Sequence, residues 1–308
     1  MIGKHCAATL WALSVWYSAA SYAADAPQLY LVDAHSQADS RAVMERVVGL
    51  MDRAGVRHTI LSGRRGLTNG DIASFAAQQP DRITAAVRTK GRAYAENRAG
   101  YYKSLERDAN SGRFGAIAEL LMFHAQKGRK ADEVAVFPED ERVQAALKIA
   151  KERNWPLVVH IEFAALSDDD KIEYTKQFEA MLAQNPQHPF VLIHMGQLHH
   201  AQVRNLIESH PNVYFMTSHT TPTAVNKSKQ PWTPMFQGDG LAPEWRELVI
   251  EKPDRFILAF DNVWPEHWGD HYLRQAEQWR AALSGLPTEA AHAVAHGNAE
   301  RLWRIPKR

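Results

Sequence analysis

Cysteine is all but missing from these 308 residues, with Cys6 the single example. One thiol can form neither a disulfide within the chain nor a multi-thiolate metal site. An excess of either charge is missing too. Lys+Arg is 36 and Asp+Glu is 35, a formal net charge of +1. That balance gives no electrostatic case for nucleic acid or an anionic membrane surface as the main partner. Repeats, low-complexity tracts and Pro/Gly/Ser linkers are also lacking, so the chain reads as one domain. No GxGxxG turn follows the first apolar run, which argues against a dinucleotide-binding doubly wound sheet, the alternative architecture. With 45% hydrophobic and 23% charged residues the composition is that of an ordinary globular protein. The length suits a single α/β barrel of about 250 residues.

Residues 1–23 read as a leader. Lys4 and His5 give a short basic start, an apolar stretch runs from Ala7 to Tyr17, and Ser21-Tyr22-Ala23 places small residues for cleavage before Ala24. The apolar stretch is shorter than the about 20 residues that span a bilayer. Removal of the leader takes Lys4 and Cys6 with it, leaving residues 24–308 without cysteine and with no net charge. The expected product is a periplasmic or secreted protein. Its partner is a small-molecule substrate, it has no membrane association after cleavage, and its oligomeric state is open.

Eight short apolar runs follow: Leu29–His35, His58–Ser62, Arg82–Val87, Phe114–Leu120, Pro156–Glu162, Phe190–Met195, Asn212–Thr217 and Phe256–Asp261. Several are nearly continuous in branched aliphatics, as strands buried on both faces require. Amphipathic segments lie between them. Ser40–Ala54 is closed by Gly55, Glu139–Arg153 by Asn154, and Asp168–Ala183 opens on three aspartates. Further helices are expected at His200–Ser209, Pro243–Glu251, His271–Leu283, Thr288–His296 and Asn298–Arg304. Eight strand–helix units predict an α/β fold, the (β/α)8 TIM barrel. Two connections, Arg88–Glu106 and Ser218–Gly240, are longer than the fold needs, and both follow strand C-terminal ends, where barrels carry their active sites.

Polar residues sit at those same ends: Asp33, His35 and Gln37 on the first strand, Glu119 on the fourth, His160 and Glu162 on the fifth, His194 on the sixth and Asp261 on the eighth. Side chains repeat every two residues, so Asp33, His35 and Gln37 are expected on one face, and His160 and Glu162 on another. One histidine at a strand end is usually a hydrogen-bonded core residue. Imidazoles and carboxylates from five strands meeting in one place are costly to desolvate, and a divalent cation relieves that cost. Nitrogen and oxygen ligands without thiolate suit zinc, with manganese or iron as alternatives. Arg64 and Arg65 after the second strand, His124 in the fourth loop, His219 at the start of the seventh, Trp232, Phe236, Trp264 and His267 are candidates for substrate contact or for plain loop packing. His199 and His200 read as the start of a helix.

The order of these residues resembles the amidohydrolase superfamily, in its amidohydrolase-related (amidohydrolase 2) branch. PLVVHIE, FVLIHMGQ, RFILAFDNVW and FGAIAELLMF look like its fifth-, sixth-, eighth- and fourth-strand motifs, and His296–Trp303 looks like its GNAxRLF ending, a structural last helix. The resemblance covers roughly residues 29–304. It implies a metal-dependent (β/α)8-barrel hydrolase acting on an ester, lactone or amide-like bond. His35, Gln37, Glu119, His160 and Asp261 would surround the metal. Asp261 would shuttle the proton, and His194 would ligate a second metal or polarise the carbonyl. Beside what the resemblance implies, Arg64, His124 and His219 are expected from their loop positions to contact substrate. The same branch contains non-oxidative decarboxylases, and a barrel that binds without catalysis is a further alternative. The departure is Gln37, where the family has the second histidine of His-x-His.

Overall fold

The computed structural model of the protein describes residues 29–306 other than 129–130. The expected leader, residues 1–23 with Cys6, lies outside them. Among the described residues no helix is long and apolar enough to cross a membrane.

Parallel strands dominate, as the continuous apolar runs predict. The first three barrel strands are Leu31–Ala38, Val56–Gly63 and Ile83–Val87. The fourth is broken into Ala116–Ile117, which pairs with the third, and Leu120–His124, which pairs with the fifth, Leu157–Ile161. Phe190–Leu192, Val213–Met216 and Phe256–Ile257 complete the series. Backbone hydrogen bonds from Ala34 N to Leu258 O (3.0 Å), Asp261 N to His35 O (2.8 Å) and Gln37 N to Asn262 O (2.8 Å) join the eighth strand to the first. Short antiparallel additions, Val134–Ala135 and the Phe236–Gln237/Gly240–Leu241 hairpin, decorate the fourth and seventh connections.

Two apolar layers follow from strand alternation. Val32, Ala34, Ile60, Ala86, Ala116, Ala118, Val158, Val191, Ile193, Ile257 and Ala259 form one cluster, filling the barrel with mostly small side chains. Leu302, Trp303 and Ile305 from the C-terminal segment belong to the same cluster and close its floor. The larger cluster lies between the strands and the surrounding helices. Arg41–Ala54 is capped by Gly55 at φ +61°, and Glu141–Arg153 by Asn154 at φ +54°, both as the sequence predicts. The third connection differs from its reading as a loop, since it folds into helices Arg92–Ala95 and Ala99–Asn110.

The expectation that Asp33 shares a face with His35 and Gln37 does not hold. The pairing of the first two strands is irregular between Asp33 and Ser36, and one extra residue there resets the alternation. Asp33 stays beneath the site. Its carboxylate accepts from Phe260 N (2.9 Å), His35 N (3.3 Å) and Ser36 Oγ (2.5 Å), tying the bulged first strand to the eighth. Burial outweighs these bonds and pushes its pKa up to about 7. Asp33→Ala removes three buried acceptor contacts at once and is expected to cost about 2–4 kcal/mol. Urea unfolding checks this; an unchanged midpoint would contradict the role.

Candidate metal centre

The strand ends predicted to carry chemistry do converge. Nε2 of His35 lies 3.3 Å from Asp261 Oδ1 and 3.8 Å from Glu119 Oε1. Asp261 Oδ2 is 3.5 Å from His194 Nε2 and 3.2 Å from His219 Nε2. His160 faces Glu119 Oε2 through Nδ1 (2.8 Å) and Glu162 Oε1 through Nε2 (3.2 Å). His35, Gln37, Glu119, His160, Glu162, His194 and Asp261 are all buried.

Backbone strain aims several of these side chains. Asp261, His194 and His219 have φ of +49°, +54° and +59°. His194 opens four consecutive left-handed residues, through Gln197, where the sixth strand turns out of the sheet. Such conformations cost L-residues roughly 1–2 kcal/mol each, and they persist where the surrounding structure enforces them. Ser218 Oγ holds His194 Nδ1 at 2.9 Å and leaves Nε2 directed at Asp261.

Electrostatics divides the groups. Burial alone would lower the imidazole pKa of His35 and of His160. Asp261 and Glu119 around the one, and Glu119 and Glu162 around the other, outweigh it and push both up to about 9. Burial favours neutral Glu119, but Lys90, His160 and His35 hold it well below the usual carboxylate range. Asp261 is likewise held low by His219 and His35 against burial. His194, buried and beside His219, is shifted well below the usual histidine value. His124 is pushed down to about 4 by burial and by His160.

Gln37 departs from the expected ligand role. Its Nε2 donates to Glu119 Oε1 (3.0 Å) and to Asp261 Oδ1 (2.9 Å), so the donor side of the amide, and not its oxygen, faces both acids. Gln37 Oε1 and His35 Nε2 are buried without a well-aligned hydrogen bond. The donor set fits a divalent cation: buried carboxylates, imidazole nitrogens and an orphaned His35 Nε2 lie within reach of shared centres.

Gln37, Glu119, His160, Glu162, His194 and Asp261 line the floor of a cavity of about 1270 Å³. His124, His219, Trp232, Trp264 and His267 line it, as does Arg64. Arg64 spends Nη1 on Val263 O (2.5 Å), and it and Arg65 lie over the Trp264 ring at 4.3 and 4.2 Å from its centroid. Phe236 packs instead on Trp279. His200 begins a helix with His199 as its cap, as expected. Sequence reasoning missed Lys90, whose ammonium sits on Glu119 Oε1, and Lys127, which donates to Glu162 Oε1 (2.6 Å). Only the unusual length of the third connection signalled the first, and nothing local signalled the second.

The family profile described as Amidohydrolase matches residues 31–305. The chain belongs to the amidohydrolase family. Membership makes it a metal-dependent hydrolase-type enzyme on a TIM barrel. Solved structures agree on the fold. A TIM-barrel protein of Bordetella bronchiseptica matches with TM-score 0.60 at 13% identity, over 90% of this chain and 99% of that one. An amidohydrolase of Burkholderia multivorans with bound zinc gives 0.54 at 17%, over 90% and 100%. A dihydroorotase of Campylobacter jejuni gives 0.54 at 12%, over 90% and 84%. No curated protein matches in sequence.

His35 and His160 bind a proton more tightly folded than unfolded, so in chelator-treated protein their contribution to stability is full below about pH 6.5 and is lost as pH rises through about 9. Urea midpoints should fall across that window, and His160→Gln should flatten the fall. A variant with the same slope as wild type would contradict the assignment.

Proposed function

We propose that this amidohydrolase cleaves an ester, lactone or amide-like bond in a small anionic substrate, with zinc as the metal and Asp261 as the proton carrier. The observation carrying the reading is Asp261 itself, a buried acid at the eighth strand end with imidazoles on both oxygens and a large cavity above it. Support for zinc comes from the nitrogen and oxygen donor set and from the zinc in the Burkholderia relative.

His35, Glu119, His160, His194 and Asp261 offer ligand atoms for a cation in the mouth, in overlapping groups of three. When bound, it supplies Lewis acidity and makes a water nucleophilic near neutral pH. The protein's own groups do the rest. Asp261, held ionised, takes a proton from the attacking water at a carboxylate oxygen and returns it to the leaving group. Ser218 Oγ at Nδ1 orients the His194 ring, so that Nε2 would be presented to the cation beside Asp261. Arg64 and Arg88, which form no ion pair among the described residues, border the cavity and attract the substrate's negative charge. Trp232 and Trp264 line the cavity and would limit water beside a bound substrate.

An acid substrate also suits decarboxylation, the second reading. Release of carbon dioxide, against release of two hydrolysed fragments, separates the two. Export is part of the proposal and is supported by the signal layout of residues 1–23.

Screening a panel of carboxylate-bearing lactones and esters tests the reading. Chelation should abolish turnover and zinc should restore it. Asp261→Asn should stay folded and lose at least about a thousandfold in kcat, as removal of a proton carrier does. Full turnover in that variant would remove Asp261 from the mechanism.

A further inference from the structure

The seventh connection brings a histidine where the family's ligand pattern, as the resemblance gives it, has none. His219 Nε2 lies 3.2 Å from Asp261 Oδ2, and His194 Nε2 lies 3.5 Å from the same oxygen. The two rings stack at 4.6 Å and 12°, with Trp232 tilted against both at 4.9 and 4.7 Å. His194 Nε2, His219 Nε2 and Asp261 together meet the spacing of a three-ligand site, and the side chains of His194 and Asp261 are 95% or more buried. All three residues take a left-handed φ, so the backbone is strained at each point that turns a side chain toward the others.

The opposite side of the mouth is filled by hydrogen-bond donors. Glu119 Oε1 receives Lys90 Nζ and Gln37 Nε2, and Glu119 Oε2 receives His160 Nδ1. The second ring nitrogen of His160 faces Glu162. A cation seated there would have to displace an ammonium and turn the Gln37 amide. The corner at Asp261 Oδ2 holds imidazole nitrogens and no lysine or amide donor among the described residues.

We propose that His219 is a metal ligand, and that His194, His219 and Asp261 seat one divalent cation, the imidazole of the seventh connection replacing the one that Gln37 lacks. All three residues line the cavity, so a cation held by them would be reachable by water or substrate, as a catalytic zinc site requires. The proposal rests on the metal-dependent reading above but not on the bond that is cleaved.

The test uses the full chain without added substrate, with Co2+ and Zn2+ as probes. His219→Asn suits it because asparagine tolerates a left-handed φ. Wild type should bind one Co2+ with visible d–d absorption and gain thermal stability with Zn2+. His219→Asn should melt like wild type without metal, bind Zn2+ at least about a hundredfold more weakly by chelator competition, and show an altered Co2+ spectrum. Unchanged affinity and spectrum in His219→Asn overturn the proposal, whether or not the protein hydrolyses any ester. The predicted loss supports it even if the activity screen fails.

Discussion

Asp261 is a carboxylate taken almost entirely out of water, and the barrel mouth is built around keeping it ionised. Such burial costs several kcal/mol unless donors replace the lost hydration. Its Oδ1 meets Gln37 and His35, and its Oδ2 meets His194 and His219. Those partners arrive from the first strand, the sixth strand end and the seventh connection. The Asp261 backbone N–H also donates to His35 O, one of the bonds that close the barrel. Closing the barrel and assembling the site are therefore one event.

Packing below the mouth makes that event possible. Alanines at 34, 86, 116, 118 and 259 keep the barrel interior narrow, which lets polar side chains at the strand ends above it, among them His35, Glu119 and Asp261, come close together. Asp33 sits between the two layers, holding strands one and eight in the register that the mouth needs. Above, the third and seventh connections supply Lys90, His219 and Trp232. The result is an acidic floor under a rim that carries Arg64, Arg88, Lys90 and Lys127.

Much of this was legible because it is local. Continuous aliphatic runs gave the strands, and Gly55 and Asn154 marked helix ends through their need for a left-handed φ. His35, Glu119, His160, His194 and Asp261 stood out because each follows an apolar run. What escaped depends on contacts between distant segments. The extra residue between Asp33 and Ser36 shows only in pairing with the second strand, so simple alternation misplaced Asp33. Lys90 lies in a connection that read as loop, and its partner is 29 residues away. The direction in which the Gln37 amide faces is decided by two acids from other strands. His219 was visible as a candidate for substrate contact, but its closeness to Asp261 follows from a left-handed turn that no short motif encodes.

The central claim is that these scattered rings and acids meet around one cation at Asp261. Diffraction from zinc-loaded crystals at the zinc absorption edge tests it most directly. A strong anomalous peak within bonding reach, about 2.1 Å, of a carboxylate oxygen of Asp261 and of imidazole nitrogens is the expected result. Zinc-loaded crystals showing no peak at Asp261, or peaks at surface histidines alone, would contradict it.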